Sequence, residues 1–368
     1  MAAISSREGG KVNLISLYLT KTVILYTMLV LLALLGLYTL IDFIAELEDI
    51  GKGQYRLADI LLYTLLSIPK RLYDLLPIAA LIGSVLGLGQ LSSQSELIVM
   101  RATGMSVTQI NKAVAKAAIF LMLIAVFIGE VVRPITEKKA RHQKSVAQMG
   151  VKDAQAAYGF WSRDGLHFHH IREIHADGRL SGITIYQFDA DLRLEEMLTA
   201  ESATYTDKTW ILSTVMRRQI SETGVITATA QLQRWYSQLT PEVINIVTVP
   251  AEFLTILGLN DYIQHLEKNH QAVASYQMAF WMKVVMPLST AVMVFLAVPF
   301  VFGNLRSVSN GGRIVVASLV GIGFYLLSQI VQHLSLVYEL TPWMAATLPV
   351  TIFALIGYRG VRQLDKFH

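Results

Sequence analysis

Read for its apolar and polar positions, the chain alternates between two textures. Long apolar runs occur at residues 23–41, 75–91, 113–132, 284–305, 314–338 and 340–358. Each is near the ~20 residues that a helix needs to cross a bilayer. The third is the weakest, with Lys116 and Glu130 near its two ends. A helical extension over 57–74, interrupted at Pro69, precedes the second, and Pro342 marks the turn near Glu339 that separates the last two. Gly87, Gly89, Gly321 and Gly323 permit close approach of helices. Between the third and fourth runs the period shortens. "YGFWS" (158–162), "LHFHHIREI" (166–174), "LSGITIYQFD" (180–189), "TWILSTVMR" (209–217) and "GVITATAQLQRWYS" (224–237) alternate as strands do, with turns at "RDG" and "ADG". They predict an antiparallel sandwich or jelly roll, followed by a return helix over 257–269. The expected fold is an α-helical membrane protein of six transmembrane helices with an inserted antiparallel β domain. Its segments are 1–135, 136–270 and 271–368.

Composition sharpens this picture. The 368 residues are 53% hydrophobic and 16% charged, with mean hydropathy +0.47, against about 25% charged in soluble domains. Residues 1–22 are mostly polar and the first run exceeds a signal-peptide core, so it reads as an uncleaved span. Arg7, Lys11, Arg101, Lys112, Arg306, Arg313, Arg359, Arg362 and Lys366 fall on one side of the six runs. The positive-inside rule then places both termini in the cytoplasm and the β domain across the membrane. The net charge of +4 comes without a basic stripe interleaved with aromatics, so nucleic acid is not an expected partner.

Motifs for chemistry are sparse. There is no G-x-x-x-x-G-K-[ST] loop, no H-E-x-x-H, no G-x-S-x-G and no cysteine, so no catalytic residue is assigned and nucleotide binding of that kind is excluded. In "HFHH", His167 and His169 share one strand face and His170 takes the other. Two histidines are the commoner surface arrangement, and no metal is expected. Ionisable residues beside the spans are more informative, because they are costly there. Lys70, Arg71 and Asp74 cluster at one end of the second run. Glu130 and Arg133 lie at the end of the third, followed by Lys138, Lys139, Arg141 and Lys144. They read either as interfacial anchors or as a basic ring for an anionic ligand. At the other end, "LSSQSELIVMRATGMS" (91–106) carries Leu91, Leu97, Ile98, Met100 and Met105 at helical spacing, beside Glu96 and Arg101. Its balanced charge suits a protein partner better than a lipid surface. Lacking a nucleotide site, the chain would find that partner naturally in an ATPase subunit.

"QSELIVMRATGMS", "SIPKRLYDLLPIAALIGSVLGLGQL", "YGFWSRDGLHFHHIREI…LSGITIYQFD" and "FGNLRS…GGRIVV" resemble the LptF/LptG permease family of the lipopolysaccharide exporter, over nearly the whole chain. "GFWSRDG" and "GLNDYIQHL" look more like its LptG branch. The resemblance implies an inner-membrane subunit of a Gram-negative bacterium. It would be without enzymatic activity or a cofactor of its own, and would pair with an LptF-like permease. Two copies of an LptB-like ATPase would bind ATP and Mg. A periplasmic β-jelly roll would join an LptC- and LptA-like bridge. The resemblance also implies a coupling helix over about 91–111, with Glu96 as the coupling glutamate and Leu97, Val99, Met100 and Arg101 beside it. Lipopolysaccharide would be held by Lys70, Arg71, Arg133, Arg141 and Lys144. Three further positions that are basic in the family are Asp42, Glu48 and Asp49 here. A carboxylate cannot pair directly with phosphate, which leaves a bridging cation, the neighbours Lys52 and Arg56, or a differently seated head group. The paralogous LptF-type subunit, a permease for another lipid or lipoprotein, and a membrane-anchored scaffold stay open as alternatives.

Overall fold

The computed structural model describes residues 2–105, 107–149, 160–175, 178–189, 191–207, 209–221, 224–237, 240–241, 251, 254–268, 271–302, 309–338 and 340–366. Tyr158, Gly159, Arg306 and Glu339, named above, lie outside them. The helices are α1 (Ala2–Glu46), α2 (Leu57–Leu66), α3 (Ile68–Ser93), α4 (Glu96–Ala102), α5 (Val107–Phe127) and α6 (Arg133–Met149), then α7 (Ile256–Lys268), α8 (Ala274–Phe302), α9 (Asn310–Val337) and α10 (Pro342–Lys366). Six helical segments among the described residues are long and apolar enough to cross a membrane: Leu14–Asp49, Ile68–Ser93, Gln109–Gln148, Ala274–Phe302, Gly311–Ser335 and Pro342–Gln363. The chain forms two compact units. One comprises Met1–Ala45, Thr64–Glu137 and Ala274–His368, the other Glu46–Tyr63 and Lys138–Val273.

In the first unit α3 is the most enclosed span, because its small residues let neighbours come close. A Cβ added at Gly83 would lie 2.3 Å from the Thr27 Cα of α1, and one at Gly87 would lie 3.3 Å from the Thr22 carbonyl oxygen. Gly321 of α9 packs on Ile78, whereas Gly323 meets nothing, so only one of that glycine pair serves close approach. Leu81, Val85 and Leu88 of α3, Val114 and Leu121 of α5, and Met293 and Val298 of α8 form the core. Large side chains on α1, α9 and α10, such as Leu25, Leu32, Leu319 and Leu355, point outward. An apolar surface of that extent is one that lipid or a partner covers.

The second unit contains a six-stranded antiparallel sheet: β1 (Phe160–Asp164), β2 (His167–Ile174), β3 (Leu180–Phe188), β4 (Leu194–Thr206), β5 (Thr209–Ser221) and β6 (Gly224–Trp235). The described strands pair strictly in sequence order. A line of residues, Arg172, Gly182, Glu201, Thr214 and Gln231, drops out of the ladder across five strands. Gly182 (φ +65°) and Thr214 (φ +53°) are left-handed there. The pleat therefore slips by one residue, and the inward set changes parity. Ile183 and Ile185 face the core on one side of the line and Leu180 on the other; Val215 is matched in the same way by Leu212 and Trp210. The sheet curls enough for His169 of β2 to meet Trp235 of β6 edge-on, their ring centroids 4.9 Å apart.

Candidate functional site

The segment over 91–106 is not one helix. α3 continues through Leu91 to Ser93, Ser95 takes a left-handed conformation (φ +61°), and α4 runs only from Glu96 to Ala102. Gly104 (φ +95°) then reverses the chain before α5. Of the apolar stripe read from the sequence, Leu91, Leu97, Met100 and Met105 face inward and Ile98 does not. Leu97 is 2% exposed and Met105 is buried, both in the bundle core, and Met100 packs against it. Ile98 (48% exposed) and Val99 (58%) form the outward face. Glu96 and Arg101 are half-buried, and the Tyr18 hydroxyl lies beside the Glu96 carboxylate. Of the coupling residues expected, only Val99 stands fully outside, and Ile98 joins it. Arg313, read from sequence as a loop charge, is buried and donates to the Gly89 carbonyl of α3.

Three of the basic residues near the far ends of these spans, Arg71, Arg133 and Lys144, are engaged with carboxylates. Arg71 is buried (3% exposed), donates to the Thr64 carbonyl at 3.2 Å and is bonded to Asp42. Arg133 is buried, 3.7 Å from Asp74, with its guanidinium over the Tyr73 ring at 5.1 Å. Lys70 is half-buried. Within the second unit, Lys144 is held by Glu46 at 2.7 Å and Asp49 at 2.9 Å, with its ammonium 5.0 Å from the Tyr63 ring centroid. Asp49 also pairs with Lys52 at 2.6 Å and accepts from the Gln148 side chain at 3.2 Å. The loop before α2 is docked on α6 by the Gln54 amide, which donates to the Ala147 carbonyl at 2.7 Å. Burial and the neighbouring Glu46 hold the Tyr55 hydroxyl above its ordinary range, so it stays protonated and donates to that carboxylate. Arg141 is half-buried, and Glu48, Lys52 and Arg56 are exposed.

Two of the three carboxylates at positions expected to be basic are thus ion-pair partners: Asp42 to Arg71, and Asp49 to Lys144 and Lys52. Sequence reasoning missed a further pair. Lys283 of α8 is buried and reaches Glu130 at 2.8 Å. The signal is a lone lysine in "FWMKVVMP", which stands one residue before the uncharged run that begins at Val284 and so falls outside it.

The concave face of the sheet holds a cavity of about 140 Å³ lined by Asp164, His167, His169, Gln187, Glu196 and Arg217, among others. Burial lowers the His169 pKa to about 4, so the ring is neutral near pH 7. His167 and His169 stack at 6.4 Å on that face, while His170 packs on Trp161 at 4.7 Å. Among the described residues no group of three His, Asp or Glu is placed to hold a metal ion.

The family model described as "Lipopolysaccharide export system permease LptF/LptG" matches residues 17–362. The chain is 37% identical to the lipopolysaccharide export system permease protein LptG of Escherichia coli (strain K12), over 92% of this chain and 95% of that one. It is 34% identical to the protein of the same name from Haemophilus influenzae, over 94% and 97%. Membrane-spanning bundle, inserted antiparallel sheet and sequence agree along nearly the full length, and the chain belongs to the LptF/LptG family of lipopolysaccharide export permeases.

Proposed function

We propose that this chain is a permease subunit of a lipopolysaccharide exporter, extracting the lipid from the outer leaflet of the inner membrane and passing it to a periplasmic bridge. The family match over residues 17–362 carries this reading. The chain would work with an LptF-like permease, two LptB-like ATPase subunits that bind ATP and Mg, and LptC- and LptA-like bridge proteins. Both termini would be cytoplasmic and the β domain periplasmic. Acyl chains would occupy an apolar cavity shared with the partner permease. Lys70, Arg71, Arg133, Arg141 and Lys144 would hold phosphates by charge-assisted hydrogen bonds.

The carboxylates fit this scheme as internal counter-ions. Partly exposed ion pairs contribute little net stability, typically about 0–1 kcal/mol. A lipid phosphate carries more charge and more acceptor oxygens than Asp42 or Asp49, and so competes with them for Arg71 and Lys144. α4 would be the coupling helix, offering Ile98 and Val99 to the ATPase, with Glu96 at the joint between that face and the core.

The test is affinity purification of the tagged chain from its native membrane in mild detergent, with Glu96→Ala alongside. The expected result is recovery of an ATPase, a second permease and lipopolysaccharide, with assembly kept and export lost in the variant. A chain recovered alone and lipid-free would sink the reading. Unaltered export would remove Glu96 from the mechanism.

A further inference from the structure

The third span changes gauge beside its buried-facing acid, Glu130. Between α5 and α6, Ile128–Val132 form a π turn. Such a turn holds one residue more than an α-helical one and frequently marks a functional position. Two contacts fit this turn. Gly129 lies against Tyr73, where a Cβ would be 2.5 Å from the ring, so only glycine admits the ring. The Lys283 ammonium donates to the Gly129 carbonyl at 3.2 Å and to the Glu130 carboxylate at 2.8 Å. An ammonium has three donors and no acceptor. Buried among apolar helices it needs a counter-charge, and here both acceptors come from the turn itself. Arg133, the first residue after the turn, faces Asp74 and the Tyr73 ring.

We propose that Lys283 is a positioning residue: by bonding Gly129 and Glu130 it holds the wide turn, and so sets the direction in which Arg133 and the following turn point. One residue of helix is a rotation of about 100°, so a relaxed turn would carry Arg133 away from Asp74. The inference rests on the proposed function only for the purpose of Arg133.

The chain has no cysteine, so single cysteines can be introduced directly. Nitroxide labels at residues 135, 136 and 137, in the complete complex in nanodiscs, would be read for oxygen accessibility. Ile135 is exposed, Thr136 half-buried and Glu137 buried. Lys283→Met is expected to move the accessibility maximum by one residue, and Lys283→Arg to keep it in place. An unmoved maximum in Lys283→Met would overturn the proposal. Exchanging the charges (Glu130→Lys with Lys283→Glu) keeps the buried charge balanced, so it reports even where Lys283→Met fails to assemble. It puts an acceptor against the Gly129 carbonyl and is expected to move the maximum. The parent pattern in that variant would overturn the role given to the carbonyl. A photoreactive residue at 132 reads the lipid separately. Absence of a lipopolysaccharide crosslink in the parent would count against the proposed function alone, since the accessibility pattern decides the role of Lys283 without lipid.

Discussion

Arg71 and Asp42 are unequally placed: the guanidinium is 3% exposed and the carboxylate 38%. Removing the counter-charge therefore hurts the arginine more than its partner. Asp42→Asn should lower the melting temperature, by the equivalent of about 1–3 kcal/mol, below the 3–5 for a fully buried pair because the Asp42 side chain is only partly enclosed. Added lipopolysaccharide should restore the melting temperature if its phosphate takes the vacated place. A variant stabilised no more than the parent by the lipid would detach Arg71 from the proposed headgroup site. His169 gives a prediction in pH. Its folded pKa of about 4 lies below the ordinary 6.5, so the unfolded chain takes up a proton between those values and the folded one does not. The stabilisation is complete above pH 6.5 and declines as pH falls toward 4, by up to about 3 kcal/mol. Fluorescence melts of Trp210 and Trp235 at pH 7 and 4.5 would measure it, and His169→Phe should flatten the difference. Such residue-level partners are hardly legible in sequence. Asp42 and Arg71 are 29 positions apart, and only folding makes the acid a partner rather than an anomaly in a basic ring.

At the scale of elements, apolar periodicity located the six spans and most strands, because each buries one face or all of it. β4 escaped: "LEEMLTAESATYT" carries two adjacent glutamates and small alanines, and its inward set shifts from Leu198 and Ala200 to Ala203. A two-residue period read across that slip cancels. Gly182 anchors the same slip on β3, with a left-handed backbone and the Arg172 side chain 2.9 Å from where a Cβ would sit. Gly182→Ala should destabilise the sheet by about 1–2 kcal/mol from the backbone penalty alone, measured by the same tryptophan melts. An unchanged melt would mean that the slip relocates freely. α4 was also misread in extent. Helical spacing over 91–106 is real, but the left-handed Ser95 divides it, and nothing in a serine announces that conformation.

For the whole molecule, topology was legible: three spans, an inserted β domain, a return helix and three spans. The unit boundaries were less so, since Glu46–Tyr63 groups with the β-bearing unit through contacts to α6 that no local pattern encodes. Bundle architecture depends on a few close approaches. Gly83→Val would place a side chain onto the Thr27 backbone, so it should part α1 from α3 and reduce the yield of assembled complex; a normal yield would show that α1 can dock elsewhere. Leu97, finally, makes α4 a rivet rather than a loose tab. Its side chain is set into the same core as Leu88 and Leu91 of α3, and Arg313 stitches α9 to α3 one turn before that helix ends. A push on Ile98 and Val99 thus meets no slack. With α4 as the proposed coupling helix, such a push would arrive as torque on two membrane helices at once, and the stroke of an ATPase partner would be delivered without first being spent on bending a loop.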